Sequence, residues 1–275
     1  MNQRNILSLI VIVPLLFLFT QCSPRKNKNH NSIGSLDSQE QKITSNQQVN
    51  LLELNLDPQQ YVDLYNNWIY KNATKLQSPP HITGNNAADT YIQQKAEARG
   101  YKLRAEADES RLVSIGHIHM QPEMFDSWNA MKCAAVGDGV HLDLISGYRS
   151  VIKQRQIFNR NFGANYTSEE IHNGSADADL DFVLSTRSIP GYSKHHTGYT
   201  IDITDQSIGY DFTKFEQTDG FDWISKNNFE NARKFGFIPS YPKGAKEFGP
   251  FPETWEYVWI GDTVSVNLLM KIDSQ

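Results

Sequence analysis

The chain has 275 residues, of which 39% are hydrophobic and 11% aromatic, so it can bury the core of one large domain or of two small ones. Its formal net charge of −5 argues against a nucleic-acid partner and against a polybasic role at a membrane surface.

The N-terminus has the features of an export signal. Arg4 is followed by an apolar run from Ile6 to Phe19, which is short for a membrane span and typical of a secretory signal. Cys22 comes directly after this region and resembles a bacterial lipoprotein processing site, although Gln21 is atypical before such a cysteine. We expect residues 1–22 to be a signal peptide with Cys22 as the lipidation site. A plain cleaved signal and an uncleaved anchor are the alternatives.

A polar segment follows the signal. Residues 23–50 are rich in Asn, Ser, Lys and Gln and show almost no apolar periodicity, so they bury too little apolar surface to fold. The segment is predicted to be a flexible tether that holds the folded part away from the bilayer. We therefore expect an exported monomer of the cell envelope, attached to the membrane by its lipid on the periplasmic or extracellular face.

Two helices are predicted in an N-terminal extension over residues 51–110. Asp57 is a candidate N-cap with Pro58 at the first helical position, and this helix is predicted to continue through Ile69. A second helix covers about residues 87–99. The extension carries no chemical motif, and its expected role is to pack against the rest of the chain.

Helices and strands alternate irregularly from residue 111 onwards. Apolar alternation predicts strands at residues 140–144, 199–203, 237–238 and 255–260. Apolar faces and capping residues predict helices at residues 122–136, 150–158, 176–186 and 221–235. Separate helices with a few antiparallel strands predict an α+β domain over residues 111–272, with a small, mostly antiparallel sheet flanked by helices.

The most informative segment extends from Pro190 to Ile203. It contains His195 and Asp202, and imidazole and carboxylate groups are both ligand types for zinc. On one flat strand their odd offset would place them on opposite faces, but Gly198 permits a sharp bend, so both side chains can converge. Taken alone, the segment is equally consistent with an ordinary loop before a half-buried strand.

Two further motifs flank this segment. Residues 146–150 read SGYRS and are followed by Gln154, and residues 249–261 read GPFPETWEYVWIG. In this order the three blocks resemble the VanY-type zinc D-alanyl-D-alanine carboxypeptidases, whose motifs are SGYRS, SxHxxGxxxD and EPWH. The resemblance covers roughly residues 111–262. It implies the D-Ala-D-Ala peptidase fold, a hedgehog-like α+β fold.

The resemblance implies a metal centre and the residues that act beside it. His195 and Asp202 correspond to two zinc ligands, and Glu253 corresponds to the general base. Glu256 occupies the position of the family's third ligand, a histidine, and no histidine follows His196 in this chain. Arg149 corresponds to the group that stabilises the oxyanion.

Other positions in the motifs are predicted to contact the substrate. Each has an alternative role: Tyr148 shapes its turn, Gln154 orients Arg149, and Trp255 packs in the core. The residues predicted to bind substrate are Tyr148, Gln154, Ser193 and Trp255.

The implied function is zinc-dependent hydrolysis of the D-Ala-D-Ala bond, or a nearby amide bond, in peptidoglycan stem peptides. A carboxylate oxygen also binds zinc, so a His/Asp/Glu site is chemically sound, and Glu256→His is expected to raise activity by restoring the family's set. Alternatively, the replacement of histidine by Glu256 leaves a catalytically impaired lipoprotein that binds the cell wall on the same fold. His117 and His119 share one strand face and are a less favoured substitute for the missing ligand.

Overall fold

The computed structural model describes residues 47–209, 211–246 and 249–275. The predicted signal peptide, Cys22 and almost all of the predicted tether lie outside the described residues. The helices are α1 (Pro58–Asn67), α2 (Asn86–Ala98), α3 (Pro122–Gly137), α4 (Val151–Asn161), α5 (Ser168–His172), α6 (Asp177–Leu184), α7 (Asp219–Arg233) and α8 (Val266–Asp273). Within these ranges no helix has both the length and the apolar character needed to cross a membrane.

Short strands connect the helices. They are β1 (Gln48–Asn50), β2 (Ala73–Lys75), β3 (Ala105–Ala107), β4 (Val113–Ile115), β5 (Ile118–Met120), β6 (Leu142–Ser146), β7 (Thr200–Asp205), β8 (Phe237–Pro239), β9 (Glu256–Trp259) and β10 (Thr263–Ser265). Four of them form the central sheet, in the order β6-β7-β9-β8, and every neighbouring pair is antiparallel. Each residue of β7 is buried. The predicted α+β class, with a small antiparallel sheet flanked by helices, is confirmed.

Three apolar clusters hold the described part together. The first joins α3 and α7 to the central sheet, with the fully buried Trp128 and Ile203 among its members. The second unites α2 with α4, α5 and α6. The third combines α1 and α8 with side chains of β8 and β9, such as Ile238 and Val258. The N-terminal extension therefore contributes to two of the three clusters.

Regular structure is present before the predicted end of the tether. Strand β1 pairs antiparallel with β10, and the buried Leu51 donates its backbone N–H to Asp262 O at 2.8 Å. The predicted end of the tether at residue 50 is therefore wrong by a few residues. The extension is also not purely helical, because β2 pairs with β3 within it. In both cases the partner strand is distant in sequence, so a local pattern does not show the pairing.

Two predicted element boundaries are also wrong. Helix α1 begins with the predicted cap, in which Asp57 accepts a hydrogen bond from Gln60 N, but it ends at Asn67 and leaves Ile69 exposed. Strand β6 begins at Leu142 rather than at Val140. The backbone N–H of Val140 instead donates to Ala135 O at 2.8 Å and closes the end of α3.

Helix α7 is interrupted, whereas the sequence predicts one continuous helix over residues 221–235. Lys226 is extended, and Asn227, Asn228 and Phe229 have positive φ angles between 51° and 62°. Asparagine tolerates left-handed backbone better than most residues. Phe229 is held there by edge-on ring contacts with Tyr61 and with the core residue Tyr257. Tertiary packing therefore overrides the local helical pattern.

Candidate metal centre and active site

A buried turn leads into β7 and presents the first candidate ligand. Residues 194–197 form one turn of 3₁₀ helix, and Gly198 follows with a φ of 71°. The backbone N–H of Gly198 donates to His195 O, and its carbonyl oxygen accepts from Gln121 N. A Cβ atom at Gly198 would lie 3.2 Å from the side chains of Gln121 and Leu112. The bend predicted at this glycine is present, and both backbone conformation and space favour glycine here.

Three side chains of ligand type converge at this bend. One ligand atom each from His195, Asp202 and Glu256 lies within 4.8 Å of the others, and all three residues are buried. His195 Nε2 is 3.5 Å from Asp202 Oδ2 and 3.2 Å from Glu256 Oε2. Asp202 and Glu256 are directly opposite each other in the β7–β9 register. Two carboxylates so placed repel each other, and a cation between them removes that repulsion.

The orientation of His195 is fixed by the SGYRS motif. Its Nδ1 lies 2.7 Å from the carbonyl oxygen of Gly147. Because a carbonyl only accepts, Nδ1–H is the donor, and in the neutral ring the Nε2 lone pair faces the two carboxylates. Ligating histidines commonly have this arrangement. Burial alone would lower the pKa of His195, but the carboxylates of Asp202 and Glu256 raise it to about 9.

Asp202 provides the test of whether these residues fit a metal ion. Among the described residues, Oδ1 of Asp202 is buried and has no hydrogen-bond partner. A buried carboxylate oxygen without a donor costs about 1–3 kcal/mol or more. A divalent cation beside it would offset that cost. The donor set, an imidazole nitrogen with two carboxylates, is one that zinc accepts.

Glu256 has a second partner that the sequence analysis did not identify. Lys194 Nζ lies 2.8 Å from Glu256 Oε1, and both side chains are at most 8% exposed. The ammonium also stacks over the ring of Tyr241, 3.7 Å from its centroid. Burial alone would raise the pKa of Glu256, but Lys194 and His195 hold it well below its ordinary value. Lys194 occupies the unspecified position between Ser and His in the second motif, so the motif gives it no role.

Glu253 lies just before β9, as its predicted role as a base requires. Its carbonyl oxygen accepts from Glu256 N at 3.1 Å, so the chain turns there and both carboxylates reach one cavity. Glu253 is partly accessible from this cavity. Burial by the surrounding protein, together with the charges of Glu256 and Asp202, raises its pKa to about 8.

The cavity has a volume of about 600 Å³ and is lined by most of the predicted site residues. The predicted residues on its wall are Arg149, Ser193, His195, Asp202, Glu253, Trp255 and Glu256. Other residues also line it, among them Arg104 of the extension, Arg187, the half-exposed Phe212 and the exposed Phe251 of the third block. Sequence reasoning missed Arg104, Arg187 and Phe212 because no motif includes them, and it missed Phe251 because this position is not one of the residues that define the third motif.

Two predicted substrate contacts are not on the cavity wall. Gln154 is buried and accepts from Arg149 Nη1 at 3.0 Å, while its amide donates to Ser188 O. Tyr148 donates its hydroxyl hydrogen to Glu109 Oε1 at 2.9 Å. Neither is among the described residues that line the cavity, so the prediction that they contact substrate is not supported by this geometry. The alternatives fit better, because Gln154 orients Arg149 and Tyr148 is held by a neighbouring loop.

The remaining histidines of the motifs lie outside the cluster. His196 is buried, donates from Nδ1 to Arg149 O at 2.5 Å and accepts from Gly191 N at 3.1 Å. Burial is the main reason that its pKa falls to about 4, so it is a neutral brace for the backbone at Arg149. His117 and His119 are both exposed on the β4–β5 hairpin and are not part of the three-residue cluster. A ligand role for either is not supported.

Comparison with known families identifies the fold's relatives. A family model described as VanY, D-alanyl-D-alanine carboxypeptidase, matches residues 117–262. The chain belongs to this family. The match begins after the N-terminal extension, and it includes all three motifs.

Curated relatives have similar sequences over about half of this chain. The putative carboxypeptidase YodJ of Bacillus subtilis (strain 168) is 30% identical over 145 residues, which are 52% of this chain and 47% of the relative. A D-alanyl-D-alanine carboxypeptidase of Enterococcus faecalis (strain ATCC 700802 / V583) is 28% identical over 145 residues, 52% of this chain and 48% of the relative. The chain thus spans about half the length of these curated relatives.

Solved structures with a similar arrangement have low sequence identity. VanYB in complex with D-alanine-D-alanine is 23% identical, with a TM-score of 0.42 over 59% of this chain and 82% of that chain. The LdcB LD-carboxypeptidase is 24% identical, with a TM-score of 0.46 over 66% of this chain and 84% of that chain.

Proposed function

We propose that the protein is a zinc-dependent peptidase that hydrolyses the D-Ala-D-Ala bond, or a neighbouring amide bond, of peptidoglycan stem peptides. The observation that carries the proposal is the convergence of His195, Asp202 and Glu256 on the wall of one cavity, with Asp202 Oδ1 buried and without a donor among the described residues. Membership of the D-alanyl-D-alanine carboxypeptidase family supports the class of bond. A cavity of about 600 Å³ has room for the end of a peptide.

The proposed zinc ligands are His195 through Nε2, and Asp202 and Glu256 through one oxygen each. Three protein ligands with a further open position are the usual set for a catalytic zinc site. When bound, Zn²⁺ polarises a carbonyl oxygen and makes water more acidic.

The chain's own residues have complementary roles. Glu253 accepts the proton of the attacking water and returns it to the leaving amine nitrogen, and a pKa raised towards neutrality suits a group that does both. Arg149, held by Gln154, directs its guanidinium at the cavity, where it binds the developing oxyanion or the substrate's terminal carboxylate. Ser193 and Trp255 form part of the wall against which the peptide is placed.

The test is release of D-alanine from stem peptides that end in D-Ala-D-Ala. The zinc-loaded protein is expected to release it and a chelator to abolish the release. Glu253→Gln should lower turnover by about two to four orders of magnitude, because the general base is lost, and should leave zinc content unchanged. Glu169→Gln, an exposed carboxylate on α5, is the matched control and should behave like the wild type.

Two outcomes would contradict the proposal in different ways. Unchanged turnover in Glu253→Gln would refute the role of this residue as the base. A wild-type protein that binds zinc but hydrolyses no stem peptide would favour the impaired cell-wall-binding lipoprotein.

We also propose that the protein is exported and attached to the membrane through a lipid on Cys22. The support is the sequence alone, an apolar segment followed directly by this cysteine. Cells that express the protein and are fed labelled palmitate should incorporate label into the wild type and not into Cys22→Ala. Equal labelling of both proteins would refute lipid attachment at Cys22.

A further inference from the structure

At the proposed metal centre the anionic Glu256 stands where the family has a neutral histidine, so the ligand set carries one additional negative charge. The carboxylates of Asp202 and Glu256 are both buried and lie directly opposite each other in the sheet. Lys194 approaches one of the two Glu256 oxygens, with Nζ 2.8 Å from Oε1. The other oxygen, Oε2, lies 3.2 Å from His195 Nε2 and faces the centre. The two oxygens of this carboxylate thus have separate partners.

Lys194 is held in place from several sides. Its Nζ lies 3.7 Å from the ring centroid of Tyr241 and 5.1 Å from that of Tyr65, a residue of α1. Tyr65 is itself fixed by a hydrogen bond from its hydroxyl to Ser240 O. A buried ammonium is costly unless it is paired, and the faces of aromatic rings attract cations. The surroundings therefore favour one position for this ammonium, on the side of Glu256 away from His195.

We propose that Lys194 is a positioning residue of the metal centre. It holds Glu256 as a ligand through one oxygen and cancels its charge, so that Lys194 and Glu256 together take the place of the neutral third histidine of the family. When the charge of Lys194 is added to those of His195, Asp202 and Glu256, the net charge equals that of a His/Asp/His ligand set. The inference rests on the proposed zinc site.

The proposal predicts opposite effects for the two single replacements. Lys194→Met leaves His195 as the only cationic partner of the two buried carboxylates among the described residues, so the metal-free protein loses stability and zinc stabilises it more than it stabilises the wild type. Glu256→His leaves a buried ammonium without its carboxylate beside the metal, so zinc binds more weakly. This replaces the expectation from the sequence that Glu256→His raises activity, because that expectation did not include Lys194. The double replacement removes both charges and supplies a neutral ligand, so zinc affinity returns.

The experiment compares four full-length proteins: the wild type, Lys194→Met, Glu256→His and the double variant. Zinc affinity is measured by competition with a coloured chelator, and melting temperature is measured with and without zinc. Glu256→His should bind zinc at least about tenfold more weakly than the wild type, the scale on which partners of ligands act. The zinc affinity of the double variant should lie within about threefold of the wild-type affinity, which is a non-additive result.

The metal-free melting temperature gives a second, independent measure. Lys194→Met should melt on the order of 5–10 °C lower than the wild type, because breaking a buried ion pair is among the larger single effects. The cobalt-loaded proteins should show a changed visible spectrum in Lys194→Met, since Glu256 is no longer restricted to one oxygen. Lys95→Met, which breaks the part-exposed ion pair of α2 with Asp177, is the control and should leave zinc affinity unchanged.

The outcomes separate this inference from the proposed function. Equal zinc affinity in Glu256→His and the double variant would overturn the role of Lys194 and leave the zinc site standing. The role of Lys194 would also be overturned, and the zinc site left standing, if Lys194→Met matched the wild type in zinc affinity, melting temperature and visible spectrum. If the wild type itself binds no zinc, the proposed function is overturned and this inference with it. If Lys194→Met folds only with zinc, that result supports the proposal.

Discussion

Gly147 joins two of the motifs at the candidate metal centre. Its carbonyl oxygen accepts from His195 Nδ1, while its Cα lies against β5. A Cβ atom here would be 2.5 Å from His119 O and 2.8 Å from Ile118 Cγ2, closer than these atoms tolerate. The glycine of the SGYRS motif is therefore required for the position of a ligand in another motif.

We expect Gly147→Ala to displace this carbonyl and loosen His195. Zinc affinity should fall by about 10–100-fold, the usual effect of losing the partner of a ligating histidine, and chelator competition measures it. Gly137→Ala is the control, because a Cβ at this end of α3 meets nothing within 4 Å. Wild-type affinity in Gly147→Ala would show that the hydrogen bond to His195 does not position the ring.

At this scale the sequence predicts the contacts that are local and misses those that are distant. The sequence predicts that the side chains of His195 and Asp202 converge, because the bend at Gly198 lies between them. Lys194 could not be assigned, because its carboxylate partner comes from a strand much further along the chain. The motif predicts substrate contacts for Tyr148 and Gln154, which stay predictions; in the structure Tyr148 donates to Glu109 and Gln154 accepts from Arg149.

Among the elements, α2 carries a buried carboxylate that fixes the loop before it. Asp89 accepts hydrogen bonds from Ile82 N, Thr83 N and Thr83 Oγ1 at 2.6–3.0 Å. Burial alone would raise the pKa of Asp89, but these hydrogen bonds from Thr83 and Ile82 lower it below its ordinary value. The charged carboxylate therefore stabilises the junction between the loop and the helix.

Asp89→Asn should lower the free energy of unfolding by about 1–3 kcal/mol at neutral pH, because one backbone N–H loses its acceptor. The folded-state pKa of Asp89 is lowered, so its contribution is fully present above the unfolded pKa of about 4. It is lost as the pH falls through the lowered value, and the two proteins should then converge. Denaturant unfolding over a pH series measures this, with the exposed Asp126→Asn as control. A difference in the free energy of unfolding between the wild type and Asp89→Asn that is the same at every pH would contradict this prediction.

Elements with strong local signals were predicted well, and those that depend on distant partners were not. Helices α2, α3 and α4 lie within one or two residues of their predicted starts because their start signals are local: side-chain caps for α2 and α4, and a proline in the first turn for α3. The break in α7 depends on Phe229 packing against Tyr61 and Tyr257. Strand β1 exists because β10 pairs with it. Neither of these can be seen in a window of a few residues.

On the scale of the whole molecule, the N-terminal extension shares its core with the family domain. Leu64 of α1 is fully buried in one cluster with Ile238 of β8 and Val258 of β9. The buried Arg233 of α7 donates to the carbonyl oxygens of Leu51 and Leu54. The sequence predicts that the extension packs on the domain, but not that it supplies part of the domain's core.

Leu64→Ala is therefore expected to destabilise the whole described unit, not the extension alone. The cavity should cost about 2–5 kcal/mol, seen as one cooperative transition at a lower midpoint by both circular dichroism and tryptophan fluorescence. Ile69→Ala, at a side chain that is 87% exposed, should leave the midpoint unchanged. Two separate transitions in Leu64→Ala would indicate that the extension unfolds independently.

The Lys194–Glu256 ion pair also constrains how the sequence can change over evolutionary time. Its two members lie 2.8 Å apart in the interior, so a lineage that exchanges one of them alone passes through a form with an unmatched charge. We expect the two positions to covary among relatives. Chains with glutamate at position 256 should carry lysine or arginine at position 194, and chains with histidine at position 256 should carry an uncharged residue there. Independent variation at the two positions in an alignment of the family would show that the ion pair is incidental to the centre it surrounds.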